Sequence, residues 1–373
     1  MSKPSSFLFL VVAALCWLGL GRKVLAQESQ SAGPLGGVSP IYTVNGWKLH
    51  VSLVPDKNVV MLGEPIFMSY IVRNDTNQDL QMLEGGDYRN EVGRPDSFKI
   101  RTLDDQGQAV PQPVTRWEMG GLGGPEKIPA RGQHVIRLFL PHWATFQKPG
   151  HYTIGCSRTL SISPYQAPEF RDKSHPLYSL RVQTTATINV VPANQQRMSQ
   201  IIHRLGTNIL SRNVNDTDAV AARLALASMH DERTIPFWVK AFRRSDYDSK
   251  FAALDALSRF NNAAAFAVLK QGMKVKGKEA GPCDTTANCQ DSANLIHDAA
   301  AFALSVSPFP GAKEYLLQFA DDPYWSVRFR VVDAAAKLHS PASRRILQKL
   351  AHDPHEMVRG AVQDYLRPGP RIK

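Results

Sequence analysis

The stretch DPYWSVR at residues 322–328 returns as DPHEMVR at residues 353–359, 31 positions later. In both copies an Asp-Pro pair precedes an apolar helical pattern, and the sixth and seventh residues are Val and Arg. An Asp side chain accepts an otherwise unpaired backbone N–H at a helix start, and proline fits the first helical position without losing a hydrogen bond. The stretch therefore predicts a helix that begins anew in each of a series of similar units.

The same interval extends along the C-terminal half of the chain. Asn or Asp residues stand 31, 45, 31 and 31 positions apart, and the odd interval equals one period plus an insertion of 14 residues. The predicted helix starts are Asn215, Asp246, Asp291, Asp322 and Asp353. The apolar residues five positions after them are Val220, Phe251, Ile296, Val327 and Val358. Such a period is typical of stacked arrays, in which each unit buries its apolar face against its neighbours.

These motifs resemble HEAT-like repeats, in particular the short class named after phycobilisome lyases. Residues 322–328 and 353–359 are similar to its Asp-Pro-x-x-x-Val-Arg helix start, and residues 231–236 are similar to its inter-helix turn. The resemblance implies a HEAT-like α-solenoid over residues 195–367, with an insertion at about 275–289 and with second helices that line a concave face. It implies a binding scaffold rather than lyase activity.

Basic residues on the expected second helices are the candidates for partner binding. If these helices face inward together, their side chains form a basic strip. The strip would contain Lys240, Arg244, Lys270, Arg345 and Lys349. The alternative is ordinary positive charge near helix C-termini, which the helix dipole favours. For Arg328 and Arg359 we expect ion pairs with acidic residues of the adjoining repeat rather than contacts with a ligand.

Between residues 47 and 193 the apolar pattern changes to short alternating runs separated by turn residues. Six or seven strands at this spacing predict an antiparallel β-sandwich. The segments LGEPI at 62–66 and PGHY at 149–152 resemble the immunoglobulin-like modules of exported bacterial proteins. Tyr152 is placed like the tyrosine corner of such modules.

Two connections in this half are longer than a sandwich requires. They span residues 112–129 and 163–178, and both carry aromatic side chains. Long loops on a rigid scaffold often bind a partner, and their aromatic residues can equally fold back and cover the sheet edges. Both alternatives remain open from the sequence.

The N-terminus predicts export. Residues 1–26 combine a basic start, an apolar run and small residues before a cleavage site, which is the pattern of a signal peptide. Arg22 and Lys23 after the apolar run leave an uncleaved membrane anchor open as the alternative. Residues 27–46 are expected to be a flexible segment, and residues 368–373 a tail. The predicted location is secreted or periplasmic.

Export changes how the charge is interpreted. The full chain has a formal net charge of +11, and residues from 194 onward contribute 25 basic and 18 acidic side chains. A basic array inside the cell would suggest nucleic acid, but outside it acidic proteins, anionic glycans or lipid headgroups are the expected partners. The alternative is a solvated surface with a mild charge bias.

The cysteines fit an exported protein. Cys283 and Cys289 bracket a short polar stretch inside the insertion, so we expect them to form a small-loop disulfide. Two cysteines at this spacing, without histidines at ligand spacing, do not predict a zinc site. Cys156 lies in a strand-like run and is expected to be a buried, small apolar side chain.

No motif for catalysis, metal binding or cofactor binding is recognisable. His352 and His355 flank a turn around the helix start at Asp353, so a structural role is expected for them. The sequence thus predicts a non-enzymatic scaffold that binds a protein partner, with acidic proteins among the candidates and oligomeric state undetermined. One alternative is a protease inhibitor that acts through the sandwich loops. Another is an enzyme whose site lies between the two halves, which a cleft gathering carboxylates or histidines from both would favour.

Overall fold

The computed structural model describes residues 40–83, 88–90, 97–113, 117–120, 124–166, 177–210 and 217–366. Within these ranges a sheet-rich N-terminal half is followed by a helical C-terminal half. The predicted signal peptide, the helix start at Asn215 and the tail at 368–373 lie outside the described residues.

The described strands are short in the connections and long in the centre of the sheets. They are β1 (Ile41–Val44), β2 (Trp47–Pro55), β3 (Val59–Met61), β4 (Phe67–Asn74), β5 (Leu80–Leu83), β6 (Tyr88–Asn90), β7 (Lys99–Asp104), β8 (Trp117–Gly120), β9 (Pro125–Ile128), β10 (Gln133–Phe139), β11 (Gly150–Pro164) and β12 (Tyr178–Val191). The predicted alternating runs coincide with β2, β4, β7, β10, β11 and β12, and the shorter strands were missed.

Two larger sheets share one hydrophobic core. The first has the order β1-β2-β4-β10 and is antiparallel throughout, with Val51 facing Val72 across β2 and β4. The second has the order β3-β12-β11-β5-β9, and β7 also pairs with β11. Its only described parallel pair joins β3 to β12. Alternate residues of β2, β4, β11 and β12 point into the core, as the period of two requires.

The predicted flexible segment over 27–46 is wrong for residues 41–46. These residues form β1 and its hairpin turn to β2, and Tyr42 and Val44 are buried. Asn45 and Gly46 have φ angles of 49° and 78°, which is the left-handed pair that a two-residue hairpin needs. The Asn-Gly pair between alternating apolar residues was the sequence signal that could have predicted this hairpin. Residues 27–39 lie outside the described part of the chain.

The helical half alternates longer and shorter helices. They are α1 (Gln195–Ile209), α2 (Thr217–Ser228), α3 (Ile235–Phe242), α4 (Tyr247–Leu257), α5 (Ala263–Gly272), α6 (Thr286–Val306), α7 (Ala312–Leu316), α8 (Trp325–Leu338), α9 (Pro341–Leu350) and α10 (Glu356–Leu366). We call α2, α4, α6, α8 and α10 the first helices, and α3, α5, α7 and α9 the second helices. Consecutive first helices contact one another, and one hydrophobic core runs through the half.

The predicted phase of the apolar column is correct in the last units and wrong in the earlier ones. Val327 and Val358 are fully buried, as is Ile296. Val220 and Phe251 are instead 50% and 47% exposed. Thus two of the five residues predicted for the core lie on the surface.

For Phe251, helix capping explains the difference. In α4 Asp246 is the N-cap itself and accepts a hydrogen bond from the Ser249 backbone N–H at 2.8 Å. In the unit of α8 the Asp322 carboxylate accepts from the Tyr324 backbone N–H at 2.9 Å, in a turn ahead of the helix. The helix α4 starts directly after its Asp, whereas α8 starts two residues later. The residue five positions after the Asp therefore lies on a different face of the helix in the two units.

The predicted helix start at Asp291 is also wrong, because this residue lies inside α6. The N-cap of α6 is Thr285, whose hydroxyl accepts from the Asn288 backbone N–H at 3.1 Å. The insertion therefore adds the first turns of a longer helix. Cys283 and Cys289 lie at disulfide-bonding distance, with Cα atoms 5.3 Å apart, and they hold this helix start against the preceding turn.

Residues 61–65 join the two halves. The Met61 side chain belongs to the core of the helical half, and its Sδ accepts from the Asn194 backbone N–H at 2.9 Å. Gly63 has a φ of 83°, and a Cβ there would lie 3.4 Å from Met198. The Glu64 carboxylate is 3% exposed and accepts from Lys57 at 2.5 Å and from Arg197 of α1 at 3.2 Å.

Candidate functional site

A basic residue recurs as the fourth residue of three first helices, and it is buried in two of them. In α8 this is Arg328, which is 9% exposed and makes a two-point ion pair with Asp353 at 2.7 and 2.8 Å. It also donates to the carbonyl oxygens of Asp322 and Pro323, at 2.7 and 3.2 Å. The predicted pairing of Arg328 with an acidic residue of the adjoining repeat is confirmed.

The equivalent residues make different contacts. Arg359 of α10 donates to the carbonyl oxygens of Asp353 and Pro354, at 2.6 and 2.8 Å, which repeats the carbonyl contacts of Arg328 one period later. An ion pair for it is absent among the described residues, so that prediction is wrong in this part of the chain. Lys250 of α4 donates to the carbonyl oxygens of Phe242 and Arg244, and its burial lowers its pKa. These residues hold the repeat together.

Most of the predicted basic strip is occupied by contacts within the chain. Arg244 pairs with Asp246 at 2.9 Å and also donates to the Leu210 carbonyl. Lys270 lies 4.7 Å above the Phe266 ring, and Lys349 pairs with Asp321 at 2.5 Å. Two of the five predicted residues, Lys240 and Arg345, are exposed and have no ion pair among the described residues. The strip therefore retains two charges without an ion pair among the described residues.

A surface depression that the sequence did not predict lies on the first helices. Its volume is about 780 Å³, and α4, α6 and α8 form most of its walls. We call it the first-helix groove and define it by Phe251, Asp255, Arg259, Asp298, Phe302 and Arg330. Phe251 and Val306 at this groove are 47% and 43% exposed. The groove thus combines accessible apolar surface with charged side chains.

The charged side chains of the groove are arranged as two pairs. Asp255 and Arg259 form an ion pair at 2.9 Å within α4. Asp298 and Arg330 connect α6 to α8, and the Arg330 guanidinium lies 4.9 Å above the Phe302 ring. The Asp298 Oδ1 and Arg330 Nε atoms are 3.5 Å apart, and both lack a hydrogen bond. These two atoms are buried in the groove wall and face each other, so the pair is electrostatic rather than hydrogen-bonded.

A second cavity lies between the two halves and adjoins the groove. This cleft has a volume of about 450 Å³, and His230, Asp255 and Arg259 line both cavities. The sheet half contributes Phe139 and His142 to it. Partial burial is the larger cause that lowers the pKa of His230, and the charge of Arg259 adds to it. His230 is therefore a neutral imidazole at physiological pH, with one donor and one acceptor nitrogen.

The cleft gathers histidines and carboxylates from both halves, which is the feature expected of an interdomain enzyme. Its carboxylates are already engaged, because Asp255 pairs with Arg259 and Glu64 pairs with Lys57 and Arg197. A cluster of three or more potential metal ligands is absent from the part of the chain that the structure describes. Across the same described ranges, no helix is both long and apolar enough to cross a membrane.

The two long connections contain more structure than predicted. The range 112–129 includes β8 and β9, and β9 pairs with β5 at the edge of the second sheet. In the range 163–178, Tyr165 lies beneath the Lys127 ammonium group, 4.6 Å from its ring centre. The described part of these connections therefore covers a sheet edge. Residues 114–116, 121–123 and 167–176 lie outside the described ranges.

Comparisons with known proteins agree with the helical repeat. A family model for HEAT repeats matches residues 288–367, which include most of α6 and all of α7 to α10. HEAT repeats generally mediate protein–protein interaction, which suggests a protein-interaction scaffold. No curated protein matches the sequence.

Two solved structures share a weak likeness with the chain. One is BslA, a bacterial hydrophobin, at 12% identity and a TM-score of 0.16, over 44% of this chain and 100% of that one. The other is Spo0M, a sporulation control protein from Bacillus subtilis, at 11% identity and a TM-score of 0.17, over 43% of this chain and 55% of that one. At these TM-scores neither likeness supports a statement about this chain.

Proposed function

We propose that the protein is an exported, non-enzymatic scaffold that binds a protein partner through its helical half. The match of HEAT repeats to residues 288–367 supports the binding role. Export is proposed from the N-terminal pattern of the sequence and agrees with the cysteine pair of α6. In this proposal residues 195–367 form a HEAT-like α-solenoid, and residues 47–193 form an immunoglobulin-like sandwich.

Two observations support the immunoglobulin-like assignment. Two sheets bury alternate residues in a common core. The Tyr152 hydroxyl donates a hydrogen bond of 2.7 Å to the Lys148 carbonyl four residues upstream, as the hydroxyl of a tyrosine corner does. The sandwich would then present the helical half to its partner as a rigid support.

The first-helix groove is the proposed binding surface, and its exposed Phe251 is the observation that carries the proposal. A depression that exposes two large apolar side chains, Phe251 at 47% and Val306 at 43%, is typical of an interaction site. A partner segment with one large apolar side chain could bury Phe251 and Phe302.

The test begins with capture of a partner by the mature chain from its native exported fraction. The affinity for that partner is then measured for Phe251→Asp and for a matched control, Val220→Asp. Val220 is equally exposed, at 50%, and lies outside the groove. We expect Phe251→Asp to weaken binding at least about ten-fold, as loss of an anchoring aromatic does. The control should keep its affinity, and both variants should keep the parent unfolding temperature.

Equal affinities of the two variants would rule out the groove. Loss of capture on deletion of residues 163–178 with the groove intact would instead favour a protease inhibitor that acts through the sandwich. The basic strip is tested separately by Lys240→Glu with Arg345→Glu, since these two exposed side chains have no ion pair among the described residues. An acidic partner should then associate more slowly, and the difference should shrink in high salt.

An enzyme with a site in the cleft is the second candidate, favoured by the convergence of His142 and His230. A neutral His230 could act as a general base. Release of nitrophenol from simple nitrophenyl esters would reveal such a base, and His230→Gln should abolish it while His203→Gln should not. Rates equal to the uncatalysed reaction would count against ester hydrolysis.

A further inference from the structure

Arg158 occupies a core position of the sheet half. The inward-facing residues of β11 are Tyr152, Ile154, Cys156, Arg158, Leu160 and Ile162. Arg158 is 5% exposed, and it is the one permanently charged side chain of this row. An arginine at this place in an apolar core requires a compensating group.

Its hydrogen-bonding groups are not satisfied within the described structure. Both Nε and Nη1 are buried and lack an acceptor. The guanidinium lies 4.3 Å above the Phe98 ring. Such a contact stabilises a desolvated cation. It is weaker than the penalty for burying an unpaired ion, so the aromatic ring alone does not offset that penalty.

The neighbouring titratable side chains do not supply the missing negative charge. Burial raises the pKa of the Cys156 thiol to about 12, although Arg158 acts in the opposite direction. Burial, followed by the effect of Cys156, raises the pKa of Tyr70 well above its usual range. Both groups are therefore neutral at physiological pH. An ion pair with a carboxylate is absent for Arg158 across the described ranges.

Two further hydroxyl groups beside Arg158 also lack partners. Tyr70 of the opposite sheet packs against the same Phe98 ring, with ring centres 5.1 Å apart, and its hydroxyl is buried without a hydrogen bond. Thr184 of β12 is the diagonal neighbour of Arg158, which faces Val182 across the strand pair. Its hydroxyl is likewise unsatisfied. Unused donors from both sheets therefore lie in the same part of the core as one buried cation.

We propose that this core binds a small monovalent anion of halide size against the guanidinium of Arg158, with the hydroxyl groups of Tyr70 and Thr184 as further donors. An anion accepts hydrogen bonds only, which matches a site whose unused groups can all donate. The bound anion must be small because Arg158 is buried in the core between the sheets. It lines neither the cleft nor the first-helix groove, where a larger ligand would have room. The site is independent of the proposed scaffold function.

Crystals of the full mature chain grown in sodium bromide provide the direct test. We expect an anomalous bromine peak within hydrogen-bond distance of the Arg158 guanidinium, next to the Tyr70 and Thr184 hydroxyls. A water molecule at this position without anomalous signal would overturn the proposal. So would a carboxylate of the chain itself paired with Arg158.

Stability in solution gives a second measurement. Sodium bromide replaces sodium fluoride at constant ionic strength, and the unfolding equilibrium constant is measured for the parent and for Arg158→Met. Bromide at about ten times its Kd should lower the constant of the parent about ten-fold, because only the folded chain has the site. Arg158→Met should not respond, and an equal response in both would overturn the proposal.

If Arg158→Met does not fold, Thr184→Val replaces it in the same titration. This variant keeps the guanidinium and removes one donor, so bromide should bind it more weakly and its titration should shift to higher bromide. An unchanged titration would show that Thr184 is not a ligand and would contradict the proposed donor set.

Discussion

Arg328 and Arg359 stand at the same position of successive repeats, but their surroundings differ. Arg328 spans two units because the Asp353 side chain, 3% exposed, accepts both of its hydrogen bonds. Arg359 binds carbonyl oxygens of the turn that precedes its own helix. The first contact joins two repeats, and the second only fixes the geometry within one.

Replacing Arg328 by Met should therefore cost more than replacing Arg359 by Met. Arg328→Met leaves the Asp353 carboxylate buried without its counter-charge, and we expect a loss of about 3 kcal/mol in the free energy of unfolding. Arg359→Met should cost about 1 kcal/mol, as for a few hydrogen bonds. Urea denaturation of both variants measures the difference, and equal losses would show that the ion pair is not a major contact.

The same pair predicts an acid dependence of stability. The hydrogen bonds from Arg328 are the largest cause that lowers the pKa of Asp353 below its ordinary 3.8. The unfolded chain therefore binds this proton more readily, so the contribution is complete above about pH 4 and is lost as pH falls through the lower, folded pKa. Denaturation at a series of pH values should show this loss in the parent. In Arg328→Met the slope below pH 4 should be smaller.

Some of these residue contacts could be predicted from the sequence. The Asp-Pro-x-x-x-Val-Arg pattern predicted the pairing of Arg328, because acid and base recur at fixed positions of a repeat. It did not predict the difference at Arg359, since that residue lies in the last described helix and a further repeat is not described beyond residue 366. Burial of Lys250 was missed because its helix starts at the Asp rather than after it.

At the level of elements, α6 shows how an insertion becomes part of a helix. The extra residues supply its N-cap, Thr285, and its first turns, and Cys289 lies buried on the fourth position. The spacing between Asp residues predicted a helix start at Asp291. This spacing contains no information on whether an inserted segment forms a loop or joins the helix, so the prediction missed the earlier start at Thr286. The Thr-x-x-Asn start at residues 285–288 was a weaker signal than the period.

Removal of the cysteine pair should loosen this helix start. Cys283→Ser with Cys289→Ser should lower the free energy of unfolding by about 2 kcal/mol, as expected for a short cross-linked loop. Hydrogen exchange should become faster in the first two turns of α6 and stay unchanged in α8. Faster exchange throughout the helical half would mean that the bridge stabilises the whole array.

For the whole molecule, the turn at residues 61–65 determines how the halves depend on each other. Glu64→Gln retains the shape of the side chain and removes the charge that holds Lys57 and Arg197. We expect a loss of about 2 kcal/mol, typical of hydrogen bonds to a charged group. The exposed Glu126→Gln serves as the control and should change stability by less than about 0.5 kcal/mol.

Glu64→Gln should also separate the unfolding of the two halves. Far-ultraviolet circular dichroism follows the helices, while hydrogen exchange of β2 and β4 follows the sheets. In the parent the two probes should report one transition, and in the variant they should report two. Coincident transitions in both proteins would show that Glu64 does not couple the halves.

The cavities could not be predicted from the sequence for a physical reason. His142 and His230 line one cleft, and Asp298 pairs with Arg330 in the groove, so each cavity depends on how distant segments pack. Local periodicity contains no such information. What the pattern predicted correctly was the order of a sheet-rich half and a helical half, together with the HEAT-like character of residues 288–367.

Because Met61 is buried in the helical half, the chain cannot be divided at residue 193 without exposing apolar surface. A helical half produced alone from residue 194 would lack Met61, which is buried in its core, and Val191, which packs against that core. The sheet half alone would expose the same methionine to water. Each fragment would then be prone to aggregate, and a duplicated or recombined gene that carried only one half would encode a poorer protein. The two halves are expected to be inherited as a unit.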